Sequence, residues 1–167
     1  TIAPVHSYIG FKVRHLMVSD VKGSFATFSG TITLDPANLD ASSVDVTIEV
    51  ASISTRNDRR DGDLKSPNFF DAEKFPTITF KSRKVVKRGE QWIATGDFTM
   101  HGVSKEIELP FTLSGPVSTG TNSVIGVASA TALNRFDYGI SWDKKLDAGG
   151  LVVADVVTIE LEIEARK

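Results

Sequence analysis

The chain has 167 residues, a length that suits one domain and is enough to enclose an interior. Nineteen Lys and Arg stand against twenty-one Asp and Glu, so the formal net charge is −2; no long-range field draws in phosphate polymers, and a nucleic-acid partner is not expected. There is no cysteine, which removes disulfides, thiolate nucleophiles and Cys-based zinc or iron–sulfur sites together.

Along the chain the dominant signal is two-residue alternation in segments rich in Val, Ile, Thr and Phe. In the first segment Ser7, Ile9, Phe11, Val13 and His15 share one face, while His6, Tyr8, Lys12 and Arg14 share the other. In the second, the apolar parity runs through Val21, Gly23 and Phe25 and then shifts to Phe28, Gly30, Ile32 and Leu34, which predicts a bent strand with a β-bulge. Clean alternation follows at Val44, Val46, Ile48 and Val50, and at Ile78 and Phe80. It returns at Trp92, Ala94, Gly96, Phe98 and Met100, and at Ile107, Leu109, Phe111 and Leu113. Ile125 to Leu133 and Val157, Ile159, Leu161 and Ile163 bring the total to about eight strands, the number at which antiparallel sheets commonly close into a barrel.

Helical periodicity is confined to the stretch between Thr55 and Pro76. A dense mixed-charge run from Arg56 to Lys65 reads as a solvated face; Ser66-Pro67 reads as an N-cap and first helical position, and Asp71 as the cap of a further short turn. Phe69, Phe70 and Phe75 are too apolar for a free loop, so the segment is expected to fold over one barrel mouth as a short helical lid. Turns are expected at Asp35-Pro36, Arg88-Gly89, His101-Gly102, Gly115-Pro116 through Asn122, and Asp147 through Gly150. With no repeat or linker, residues 1–167 read as a single all-β domain.

An eight-strand barrel either fills its interior with side chains or holds one small ligand. The small inward residues Ser7, Gly23, Gly30, Ala94 and Gly96 fit a tunnel, and they fit equally the relief of crowding where strands bend. The alternation does not decide between the two.

The order of motifs resembles the YceI-like family of lipocalin-like, polyisoprenoid-binding bacterial proteins over essentially the whole chain. The matching stretches begin with His6-Ser7, Phe11-Lys12-Val13-Arg14-His15-Leu16, Val21-Lys22-Gly23-Ser24-Phe25 and Phe28-Ser29-Gly30. Ser52-Ile53-Ser54-Thr55 follows, then Arg60-Asp61 with Leu64, Ser66 and Phe69-Phe70-Asp71, and Lys74-Phe75-Pro76-Thr77-Ile78-Thr79-Phe80. Gly96-Asp97-Phe98-Thr99, His101-Gly102-Val103, Asn134-Arg135, Trp142 and Gly149-Gly150-Leu151-Val152 complete the series. Two positions depart from it: Asp63 stands where relatives often carry His, and Tyr138 where Phe is common before Gly139. The first weakens any head-group or metal role for that lid position.

The resemblance implies an antiparallel lipocalin-like barrel whose apolar tunnel takes the prenyl chain of a polyprenyl pyrophosphate or isoprenoid quinone, for transport, storage or protection, and it implies a homodimer. On that footing the expected tunnel wall is Ile9, Phe11, Val13, His15, Phe25, Phe28, Ile48, Phe70, Ile78, Phe80, Phe98, Phe111, Leu133 and Trp142, although the aromatic members and His15 also suit plain core packing. His15, Arg60 and Arg135 are the candidates for a polar head group, the arginines as bidentate donors. No cofactor is expected beyond the bound polyisoprenoid lipid.

Catalysis has thin support in these residues. His6, His15 and His101 show no metal-ligand spacing, no Gly-x-Ser-x-Gly elbow occurs, and Gly96 to Gly102 is not followed by Lys-Ser/Thr, so no catalytic residue and no metal site is expected. The competing readings are a hydrolase acting on a lipid ester or pyrophosphate, and a filled barrel serving as an interaction scaffold. No stretch approaches the roughly 20 apolar residues of a membrane helix. No signal peptide precedes Thr1, which slightly favours a cytoplasmic location, or a periplasmic or secreted one if a signal has been removed.

Overall fold

The computed structural model describes residues 1–35, 37–147 and 150–167. Its strands are β1 (Tyr8–His15), β2 (Ser19–Phe25), β3 (Phe28–Thr33), β4 (Ser43–Glu49), β5 (Ile53–Ser54), β6 (Thr77–Arg88), β7 (Gln91–Met100), β8 (Val103–Thr119), β9 (Asn122–Asn134) and β10 (Val153–Arg166). One helix, α1 (Asp58–Lys65), lies between β5 and β6. All pairings are antiparallel, in the order β3-β4-β6-β7-β8-β9-β10-β1-β2-β5.

The bent strand expected from Val21 to Leu34 is interrupted rather than bulged. β2 pairs with β1, whereas β3 pairs with β4, and the break falls at Ala26-Thr27. The partner run breaks at the same height, where Val50–Ser52 forms a single 3-10 turn between β4 and β5. Across this double break the Ala26 N–H donates to the Ser52 carbonyl (3.2 Å) and the Glu49 N–H to the Thr27 carbonyl (2.9 Å). The two runs therefore stay zipped together as they turn a corner, and they join the two ends of the strand order into a closed barrel of eight chain runs. The amino-terminal residues fill the gap beside β3: the Ile2 N–H reaches the Gly30 carbonyl (3.0 Å), and the Ala3 N–H reaches the Glu164 carbonyl (2.8 Å). One seam is paired over only part of its length: β8 pairs with β9 from Thr112 to Thr119, so residues 103–111 of β8 and 129–134 of β9 have no ladder partner across it.

Within each run the alternation puts one face inside. In β7, Trp92, Ala94, Phe98 and Met100 are all buried. The inward glycines mark close approaches rather than empty space. A Cβ on Gly96 would stand 2.2 Å from the Lys81 carbonyl oxygen, beside the slip in β6–β7 register between Ser82 and Lys84. A Cβ on Gly30 would stand 2.2 Å from the Asp45 carbonyl oxygen. The small residues thus relieve crowding where strands coil tightly.

The four connections His15 to Ser19, Thr55 to Pro76, Met100 to Val103 and Asn134 to Val153 gather at one end of the barrel. The helix begins earlier than its sequence signal: Asn57 is the N-cap, its side chain accepting from the Arg60 N–H at 2.9 Å, with Asp58 and Asp61 in the first turn. Ser66 is its end and not its start, because a residue before proline is pushed out of the helical region; its ψ is 170°. Two turns then carry the chain to Phe75, and Asp71 contributes its carbonyl to the N–H groups of Lys74 and Phe75 instead of a side-chain cap. Of the expected turns, those involving Pro36 and Ala148-Gly149 lie outside the described residues.

Candidate functional site

Inside the barrel lies a cavity of about 180 Å³. Its wall is built from inward positions of nine strands, β1 to β4 and β6 to β10, and among the described residues its polar side chains are Ser129, Thr131 and Arg135. The lid closes it at the end where the four connections meet: Leu64, Phe69 and Phe70 face the cavity. Phe70 meets Phe25 edge-on at 6.1 Å, Phe25 meets Phe11 at 5.9 Å, and Phe69 is backed by Trp142 at 5.5 Å.

The lid is latched by buried polar groups. The Asp61 carboxylate accepts from both the backbone N–H (2.8 Å) and the hydroxyl of Thr55, just past β5. From the outer side Arg60 Nε donates to the Thr55 hydroxyl (2.7 Å) and Nη2 to the Thr55 carbonyl (2.9 Å). The rest of the charged run from Arg56 to Lys65 is largely solvated, as its composition predicts. At the base of the lid, His101 Nδ1 donates to the Tyr138 carbonyl (3.0 Å), and its ring packs edge-on to Phe75 at 4.7 Å.

Of the expected tunnel residues, Ile9, Phe11, Val13, Phe25, Ile48, Phe70, Ile78, Phe80, Phe98, Phe111 and Leu133 stand on the cavity wall. Three do not. His15 is half-buried on the last rung of β1, opposite Ser19 and Val153; the register with β10 slips between Val13 and His15, which breaks the alternation that would have turned it inward. Phe28 is buried beside the corner opposite Ile48 without reaching the cavity, and Trp142 supports the lid from behind.

The head-group candidates are equally separated. Arg60 is exposed on the outer face of the lid. Arg135 does line the cavity, but its guanidinium is held by four carbonyls: Nε donates to Ala154 (3.0 Å), Nη1 to Ile140 (2.9 Å) and Trp142 (2.6 Å), and Nη2 to Val153 (3.3 Å). Burial lowers its pKa from the ordinary value, against the pull of Asp155 and then Asp143. Asp63 is exposed and accepts from the Asn68 amide at 2.9 Å, a local turn contact. Tyr138 is buried against Phe98 at 5.4 Å, and burial, with a smaller contribution from Asp137, raises its pKa.

The wall also includes residues that sequence reasoning did not put there. Ile107, Leu109, Val157, Ile159, Leu161 and Ile163 carry the same alternation as the expected set and were legible by it. Ile2, Leu64 and Ile140 come from outside strands, where no periodicity marks them. Among the described residues no cluster of three or more His, Asp and Glu side chains has the spacing to hold a metal ion.

An antiparallel barrel around an apolar cavity, with a short helical lid at one end, defines the lipocalin-like class of folds. The chain belongs to the YceI-like family, whose domain matches residues 1–165. A UPF0312 protein of Vibrio cholerae is 41% identical over 138 residues, covering 81% of this chain and 72% of that protein. A UPF0312 protein of Photorhabdus laumondii is 41% identical over 110 residues, 66% of this chain and 57% of the relative's own length. Among crystal structures, BcnA of Burkholderia cenocepacia superposes with a TM-score of 0.84 at 22% identity, covering 99% of both chains. The YCEI protein of Campylobacter jejuni gives 0.77 at 34% identity over 93% of this chain and 90% of that one. A polyisoprenoid binding domain from Saccharophagus degradans gives 0.72 at 17% identity, covering 98% and 95%.

Proposed function

We propose that this protein binds the hydrocarbon chain of a polyisoprenoid lipid inside the barrel and shields it from water. The observation that carries the reading is the cavity itself, apolar on nearly every side and capped by aromatic lid residues. Transfer of each methylene from water into such a wall contributes roughly 0.8 kcal/mol, so a prenyl tail has a large driving force. Freezing its rotatable bonds opposes that gain, and chain length alone does not set the affinity. The fold shared with a domain described as polyisoprenoid binding, in a protein of Saccharophagus degradans, supports the same reading.

The wall chemistry favours a head group that is neutral or lies outside. Arg135 is the one cation among the described wall residues, and its donors are directed at backbone carbonyls. A quinone ring can sit under the lid; a pyrophosphate belongs at the lid end, near the outer face that carries Arg60. Binding is preferred over hydrolysis because the described wall places no histidine or carboxylate beside its hydroxyls, and Ser129 donates to the Pro110 carbonyl at 2.6 Å. The open volume stands against a filled scaffold. Transport, storage or protection of the lipid, and action as a homodimer, belong to the same proposal.

Native mass spectrometry of the purified protein before and after solvent extraction tests it, with the released molecule identified by fragmentation. A co-purifying prenyl lipid, or uptake of one on incubation with polyprenyl phosphates and isoprenoid quinones, is expected. A mass that stays at that of the bare chain after both incubations would overturn the proposal.

A further inference from the structure

The connection between β1 and β2 is built against the preferences of a soluble turn. The Val18 N–H bonds back to the His15 carbonyl at 3.1 Å, and both residues between them take positive φ, 49° at Leu16 and 62° at Met17. Such a turn favours Asn-Gly or Asp-Gly, because side chains with a Cβ are strained there. This one carries Leu-Met followed by Val, and leaves Leu16 38%, Met17 62% and Val18 74% exposed. Neither local conformation nor core packing selects these three residues.

Their position is at the lid end. The Leu16 N–H bonds to the Val152 carbonyl at 2.9 Å, in the connection that also supplies Trp142 behind the lid residue Phe69. Gly150 lies against Met17: a Cβ there would stand 2.5 Å from Met17 Sδ. The charges around it cancel. Arg14 pairs with Asp20 at 3.2 Å, and the exposed Lys144 and Lys145 are matched by the exposed Asp143 and Asp147.

We propose that Leu16, Met17 and Val18 form a membrane-docking tip that inserts into the surface of a lipid bilayer and sets the lid end of the barrel against it. The inference rests on the cavity's holding a lipid: a ligand as apolar as this wall is nearly insoluble, so it must pass between bilayer and cavity without crossing water. Three side chains on a convex hairpin cover far less than the roughly 800 Å² per partner of a stable protein interface. They are enough for shallow interfacial anchoring, which depends on buried apolar area and needs no flat complementary surface. The balanced local charge makes that anchoring independent of anionic lipid.

The test is flotation of the full chain with phosphatidylcholine vesicles, comparing the natural protein with the combined variant Leu16→Asn, Met17→Gly and Val18→Ser. The first two changes install the pair this turn prefers, so the variant keeps or gains stability, which a melting curve verifies. Vesicle binding by the natural protein, weakened about tenfold or more in the variant, is expected. No flotation of the natural protein, or equal flotation of both, would overturn the docking tip. So would equal flotation accompanied by loss of a dimer in the variant on size-exclusion chromatography, which would assign the tip to a second copy of the chain. Lipid content by native mass spectrometry on the same two samples reads the cavity separately. Unchanged content with lost flotation supports docking, while an empty natural protein strikes at the binding reading whatever the vesicles show.

Discussion

A guanidinium that satisfies four carbonyls where β9, β10 and the lid-end connection converge is a structural keystone as well as part of the cavity wall. At Arg135 the sequence marks the residue through its Asn134-Arg135 motif, but only the folded chain shows where its donors point. Arg135→Met is expected to cost about 3–5 kcal/mol by stranding buried acceptors. Arg135→Lys should recover only part of that, because an ammonium cannot reproduce the planar fork. Urea titration measures both. A lysine variant of natural stability that fails to take up lipid would instead assign the side chain to the ligand. Tyr138 carries a second expectation. Burial raises its pKa above the ordinary 10.0, so the folded protein keeps the phenolic proton longer than the unfolded chain. That contribution is fully present below about pH 10 and is lost as pH rises through the folded-state value. The alkaline fall in stability should therefore be shallower in Tyr138→Phe, measured by denaturant midpoints at rising pH, and identical slopes in the two proteins would contradict it.

At the scale of elements, period-two alternation is a reliable guide wherever a strand keeps one register from end to end, as β4 does against both β3 and β6. It misread the run from Val21 to Leu34, because the shift of parity between Phe25 and Phe28 looks the same in sequence whether one strand bulges or two strands turn a corner. Its counterpart for helices sets the lid helix too late, since Ser66-Pro67 has the form of a helix start although the capping side chain belongs to Asn57. His15 was lost to a register slip that no local pattern announces. The far end of the cavity is legible only in three dimensions. Phe111 lines it, and Trp92, directly opposite Phe111 in the β7–β8 register, stacks behind that ring at 6.2 Å and is 2% exposed. Trp92 therefore acts as a floor. Trp92→Ala should destabilise the protein by about 3–5 kcal/mol and deepen the cavity. Offered a mixture of polyprenols of graded length, the variant should retain longer chains than the natural protein, read by mass spectrometry. An unchanged length distribution would mean that the ligand ends short of Trp92.

The whole barrel combines an interior that could have been filled with one that is not. Closed proteins of this size usually pack to the density of organic crystals, and unfilled apolar space costs about 20–25 cal/mol per Å³ in lost contacts. For a cavity of about 180 Å³ that is about 4 kcal/mol, a large fraction of the 5–15 kcal/mol that holds a typical domain together. No cysteine is present to offset such a deficit with a disulfide. A ligand that fills the space and binds only the folded barrel restores those contacts, and at one hundred times its dissociation constant it adds about 2.7 kcal/mol to stability. For a chain of this length each kcal/mol moves the midpoint of thermal unfolding by about 2–4 °C. Solvent-extracted protein reloaded with a polyprenyl lipid should therefore melt roughly 5–11 °C above the extracted form, in a shift that grows with ligand concentration. Differential scanning calorimetry reads this directly, and the expected rise should shrink in Phe70→Ala, which removes a lid ring that faces the cavity and meets Phe25. A midpoint indifferent to lipid would place the ligand, if any, outside the barrel.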